Sequence, residues 1–182
     1  MQKHHVCPWW LTYTFDNPLR RLFHRPAIMF AGLVKPGMTV LDIGCGMGYF
    51  SIGLARLVGP QGKVLAVDLQ QRMLDTLRRR AARAGVAGII ETRQCTADRI
   101  GVKGEVDFAL AFWMVHETPD QAAFFRELAL LLKPGGKVLV AEPKFHVTAG
   151  RFQEILADSG RAGFAVAAGS AITFSRAAVL SL

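Results

Sequence analysis

Five short apolar runs recur along the chain with helix-length stretches between them: TVLDIG from residue 39, KVLAVD from 63, GIIETRQ from 88, VDFALAF from 106 and KVLVAE from 137. Most are nearly continuous in apolar character rather than alternating, the pattern of parallel strands covered on both faces. The stretches between them carry the helical period. YFSIGLARLVG places Phe50, Leu54 and Leu57 on one side and stops at Gly59, while QQRMLDTLRRRAARAG turns Met73, Leu74 and Leu77 inward and its arginines outward. In TPDQAAFFRELALLLKPGG, Thr118 is the expected cap, Pro119 falls in the first turn, and Pro134 with the paired glycines ends the helix. The tail breaks this rhythm. GRFQEILADSGRAG reads as a helix, but FAVAAG and AITFSRAAVLSL follow with only a short turn between them, so these two strands must be antiparallel. The predicted architecture is α/β: a doubly wound, Rossmann-like sheet of seven strands, mostly parallel, with an antiparallel C-terminal hairpin at one edge and helices on both faces.

A length of 182 residues suits one domain with one buried core. Residues 1–35 precede the first strand as a lid or cap segment, and residues 36–182 form the ligand-binding domain. No run of eighteen apolar residues exists to span a bilayer, and MQKHHV lacks the apolar centre of a signal peptide, so a cytoplasmic protein is expected. The cysteines at 7, 45 and 95 are odd in number and far apart, which predicts free thiols and no metal site. Lys and Arg outnumber Asp and Glu by 22 to 14, with a cluster in LRRRAARAG at 77–85. That cluster reads as a solvated helix face, the alternative being an attractor for nucleic acid or another anion.

The most informative stretch is VLDIGCGMGYFSIG at 40–53, a strand ending in an acidic residue and three glycines spaced by two, then a helix. Glycines remove side chains where the main chain turns tightly and a ligand must touch it. A dinucleotide site is also a glycine turn with an acidic residue some twenty positions on, a place that Asp68 fills here. Three features oppose that reading: the spacing is GxGxG, Asp42 lies inside the turn, and the terminal hairpin is foreign to a dinucleotide fold. A carboxylate in the turn repels a pyrophosphate and suits a cation, such as the sulfonium and ammonium groups of S-adenosylmethionine.

Taken together, VLDIGCGMG, VLAVDL, VDFALAFWMVHE and LLLKPGGKVLVAEP resemble the motifs of the class I S-adenosylmethionine-dependent methyltransferases, in particular the small-molecule, UbiE-like branch, over roughly residues 26–180. The resemblance implies S-adenosylmethionine as cofactor. It assigns the methionine portion to Asp42 and the backbone of Gly44, Cys45 and Gly46, the ribose hydroxyls to Asp68, and the adenine face to Leu69. Relatives usually carry Gly-Asp-Ala after the third strand, where this chain has QCTAD, so Thr96, the Ala97 backbone and Asp98 are the expected adenine-pocket residues.

Methyl transfer from a sulfonium is a direct displacement, so alignment and exclusion of water matter most, and a base is needed only where the acceptor must lose a proton. Phe112 and Trp113, at the end of the fourth strand, are expected to border the methyl-donor cavity. His116 is the candidate base because imidazole titrates near neutrality; its alternative role is to fix the loop. Neither an NPPY-type nor a Pro-Cys motif of nucleic-acid enzymes follows the fourth strand. The expected function is therefore methylation of a small-molecule acceptor. Methylation of RNA or protein, and binding of S-adenosylmethionine without catalysis, are the alternatives. No stable nucleic-acid partner is expected, and a homodimer is an open possibility. The leader CPWWLTYTFDNP supplies Trp9, Trp10, Tyr13 and Phe15 as candidate walls of a substrate pocket, with Tyr13 the candidate to touch the acceptor.

Overall fold

A computed structural model of the chain describes residues 23–169 and 171–182. The expected sheet is present. Its strands are β1 (Thr39–Ile43), β2 (Lys63–Asp68), β3 (Ile90–Gln94), β4 (Val106–Phe112), β5 (Leu132–Pro143), β6 (Ala165–Gly169) and β7 (Ser175–Ser181), in the spatial order β3-β2-β1-β4-β5-β7-β6. The first five run parallel, and β7 inserts antiparallel between β5 and β6. Around it lie α1 (Pro26–Met29), α2 (Tyr49–Val58), α3 (Gln71–Arg83), α4 (Gln121–Leu131) and α5 (Ala149–Arg161).

Burial on both faces explains the continuous apolar strands. Alternate residues feed two separate cores: Leu41, Ile43, Leu65, Val67, Ala109 and Ala111 meet the side of the sheet packed with Phe124, Phe125, Leu128, Phe152 and Ile155 from α4 and α5. Val40, Val64, Ala66, Phe108 and Leu110 meet Phe50, Leu54, Leu74 and Leu77 from α2 and α3, together with Phe30 just after α1. Phe30 is fully buried, so the segment before β1 contributes to the core as well as preceding it. The edge strand β3 carries Glu91 and Arg93, and Glu91 pairs with Lys63 at 2.6 Å and with Arg93 at 3.0 Å. Charge on an edge strand opposes pairing with another chain.

Three local expectations need correction. The cap of α4 is Asp120, whose carboxylate accepts the Ala123 N–H at 2.8 Å; Thr118 instead closes a short 3-10 turn (Val115–Glu117), donating its hydroxyl to Val115 O at 2.7 Å. The chain has two polar residues able to cap, and the one nearer the apolar period wins. Helix α4 ends at Leu131, before Pro134, because Leu132 already pairs with Val106; residues 133–136 then loop out before pairing resumes at Lys137 with Phe108. Pro119 precedes the Asp120 cap instead of falling in the first turn, whereas in α2 the half-buried Leu57 packs against the same core as Phe50 and Leu54, as expected. Among the described residues, no helix is long and apolar enough to cross a membrane.

Candidate active site

In an open α/β sheet the ligand crevice lies beyond the carboxyl ends of the strands, where the order reverses. Here that point falls between β1 and β4, and a cleft of about 860 Å³ opens there. Each expected site residue in the described part of the chain lines it: Asp42, Gly44, Cys45 and Gly46 from the glycine turn, Asp68 and Leu69 after β2, Thr96, Ala97 and Asp98 after β3, and Phe112, Trp113 and His116 after β4. Tyr13 and the other aromatic residues of the leader, with Cys7, lie outside the described residues.

The glycine turn needs a left-handed backbone that residues with a side chain rarely adopt. Gly44, Gly46 and Gly48 have φ of 69°, 53° and 84°, and a Cβ on Gly44 would come within 3.0 Å of Met114. The amides of Gly44 and Cys45 donate to Val67 O at 2.9 and 3.0 Å, and that of Gly46 to Asp68 Oδ2 at 2.9 Å. These three donors are thus engaged within the protein. The expectation that Asp42 lies inside the turn is corrected, since it belongs to β1. The strand ends flanking the turn bring negative groups to the cleft: the buried carboxylate of Asp42, held by the Ser51 hydroxyl at 2.5 Å, and that of Asp68 at the end of β2. Asp68 Oδ1 also accepts the Gln70 N–H at 2.8 Å. Burial raises the Asp68 pKa, and its two backbone donors pull it part of the way back.

Opposite the carboxylates the wall is aromatic. Phe112 stacks on Trp113 with centroids 5.0 Å apart, Phe50 leans on Phe112 at 4.6 Å, and Phe145 meets Trp113 edge-on at 5.6 Å. Trp113 has φ of 60°, unusual for a bulky side chain; its N–H donates to Ala141 O at 2.7 Å and its indole N–H to Ser175 Oγ at 2.9 Å. His24 is buried behind this wall. Its ring packs against Phe50, Phe112 and Trp113, and its Nε2 hydrogen-bonds with Thr173 O at 2.9 Å.

The two cysteines of the cleft are thiols of low reactivity, since burial, followed by nearby carboxylates, pushes Cys45 well up and Cys95 to about 11. Asp98 is exposed, and a hydrogen bond from Thr96 lowers its pKa. Among the described residues, no backbone group hydrogen-bonds the His116 ring. Its Nδ1 instead meets the carboxylate of Glu142, a fully buried residue near the end of β5. Burial pulls the His116 pKa down, but the hydrogen bond and charge of Glu142, with Glu117 beside it, leave it above the usual value. Phe50, Phe145 and His146, which line the cleft, and Glu142 behind it are among the residues whose place at the site reading the sequence missed. An acid closing the apolar run KVLVAEP was the available signal.

A family described as a methyltransferase domain matches residues 40–136. A demethylmenaquinone methyltransferase of Desulfitobacterium hafniense is 35% identical over 106 residues, covering 58% of this chain and 42% of the relative. The ubiquinone/menaquinone biosynthesis C-methyltransferase UbiE of Pseudomonas putida is 37% identical over 126 residues, covering 68% of this chain and 48% of the relative. The chain therefore spans about half the length of the curated relatives it matches. A solved structure described as a SAM-dependent methyltransferase from Aquifex aeolicus shares the fold with a TM-score of 0.83 and 24% identity, covering 97% of this chain and 100% of that one. With more than half of its residues matched, and the glycine turn and β4 inside the matched span, the chain belongs to the methyltransferase-domain family.

Proposed function

We propose that this chain is an S-adenosylmethionine-dependent methyltransferase acting on a small-molecule acceptor. The observation that carries the reading is the pair of carboxylates, Asp42 of β1 and Asp68 at the end of β2, beside the glycine turn. The amides of Gly44, Cys45 and Gly46 are engaged, and two buried carboxylates line the cleft, which disfavours a pyrophosphate and suits a cationic ligand. The cofactor fits these residues: Asp42 and the carbonyls of Gly44, Cys45 and Gly46 would hold its ammonium end, Asp68 its ribose hydroxyls, and Leu69, Thr96, Ala97 and Asp98 its adenine. When bound, it supplies a methyl group activated by the positive sulfur.

The chain's own part in the reaction is orientation and dryness. Phe112 and Trp113 form a rigid apolar wall that keeps water from the acceptor, and Trp113 is held in place at both its amide and its indole. His116 takes the acceptor's proton. The stretch CPWWLTYTFDNP would close over this cleft, with Tyr13 touching the acceptor, and the enzyme would work in the cytoplasm.

Calorimetry with S-adenosylhomocysteine, and with NAD as control, tests the cofactor. Transfer of a labelled methyl group to a panel of small acceptors, including the quinols suggested by the names of the relatives, tests the activity. Tight cofactor binding with turnover on a small acceptor is expected. NAD binding, or cofactor binding with turnover only on RNA or protein, would sink the reading. Deleting residues 1 to 17 is expected to spare the fold and lower turnover, and full turnover after the deletion removes the lid.

A further inference from the structure

Behind the wall of the cleft lies a carboxylate that binding of the methyl donor does not call for. Glu142 is fully buried and does not line the cleft. Its Oε1 accepts the backbone N–H of Val115 at 2.9 Å and of His116 at 3.3 Å, and its Oε2 lies in close hydrogen-bond contact with His116 Nδ1. A carboxylate is an acceptor only, so the proton of the neutral ring sits on Nδ1 and the lone pair on Nε2. Nε2 lies on the side away from Glu142, 3.9 Å from Glu117 Oε1, and both His116 and Glu117 line the cleft.

We propose that Glu142 is a positioning residue that fixes His116 in the Nδ1–H form with Nε2 presented to the cleft as a proton acceptor, so that the acceptor is of a class whose attacking atom must shed a proton. A hydroxyl, a thiol or the phenolic O–H of a hydroquinone meets that requirement; a thioether or a ring nitrogen without hydrogen does not. The inference rests on the methyltransferase reading. In the step it describes, the acceptor's bond to hydrogen breaks and the proton bonds to Nε2. The electron pair left on the acceptor forms the new bond to the methyl group, and the bond from methyl to sulfur breaks with its pair remaining on sulfur. The donor's positive charge thus ends on the imidazolium, beside Glu142 and Glu117. Besides these two, the charged and titratable groups near the ring among the described residues are His146, with ring centroids 4.9 Å apart, and Arg151 on α5. The raised His116 pKa agrees with a base stronger than free imidazole.

Nitrogen-15 NMR of the histidine rings in the full chain tests this without any acceptor, with the His116 signals identified by their loss in His116→Gln. In the unaltered protein Nε2 is expected to show the shift of an unprotonated nitrogen at high pH, and the titration midpoint to lie above that of free histidine. An Nε2–H tautomer, or a midpoint at or below the free value, overturns the proposal with no variant needed. Glu142→Gln keeps an oxygen for the Val115 and His116 amides but turns an N–H toward Nδ1. It is expected to move the ring proton to Nε2 and to lower the midpoint. An unchanged tautomer and midpoint in a folded Glu142→Gln protein would also overturn it. For the acceptor class, methyl transfer to 1,4-naphthohydroquinone and none to dimethyl sulfide or nicotinamide is expected, and transfer to either of the latter two defeats it. Calorimetry with S-adenosylhomocysteine on the same samples separates the two readings. Cofactor binding with the wrong tautomer sinks this inference alone, whereas absence of cofactor binding sinks the methyltransferase reading.

Discussion

Gly48 has φ of 84°, and the first atom of any side chain there would fall 2.0 Å from Leu77 Cδ1. Gly48→Ala is therefore expected to cost at least about 2 kcal/mol, the left-handed backbone and the overlap both contributing, and urea unfolding measures it. At Asp68 the function is exposed more directly, because its carboxylate joins the glycine turn to the end of β2. Asp68→Ala is expected to weaken S-adenosylhomocysteine binding at least about tenfold by calorimetry, as befits loss of hydrogen bonds to a charged group. His116 gives stability a pH dependence. Its pKa in the folded state lies above its ordinary 6.5, so the stabilisation is fully present below about 6.5 and is lost as pH rises through the folded value. Unfolding midpoints of the unaltered protein and of His116→Gln should converge as pH climbs through that window. A gap that widens with pH would reverse the assignment.

Helix α1 is only one turn long, and its place depends on a glycine in the helix beneath it. A Cβ at Gly53 would meet Pro26 Cβ and Cγ at 2.5 Å. Gly53→Ala is expected to push α1 off α2 and, through the adjoining His24, to loosen the ring packing behind Phe112 and Trp113. Hydrogen exchange should then rise over residues 24–34 while β1 and β4 keep their protection. At this scale the sequence was most readable, because burial on both faces writes each parallel strand as an apolar run and each covering helix as a period of 3.6. Where two polar residues compete for one role, as Thr118 and Asp120 do at the start of α4, the period cannot choose between them. The His116 partnership was hidden for a different reason. Glu142 reaches the ring only because β4 and β5 lie side by side in a register that sets Phe112 against Ala141, and 26 residues separate the pair along the chain.

Across the whole molecule, the cleft was legible as a place before it was legible as a mechanism. The glycine turn, Asp68 and the end of β4 are local signals that strand order then gathers at one end of the sheet. The aromatic wall was only half visible, since Phe50 reads as a core residue and Phe145 falls in a turn. The same strand order divides the cleft between two stretches of chain that meet at the β1–β4 pairing, where Thr39 N–H donates to Asp107 Oδ2 across 68 residues of sequence. A loop of that length closes slowly, and neither stretch alone forms both sides of the cleft. A ligand lying across that seam finds no site in a half-assembled chain. S-adenosylhomocysteine should therefore slow unfolding in stopped-flow experiments and leave the refolding rate as it was, holding shut a join that it has no power to make.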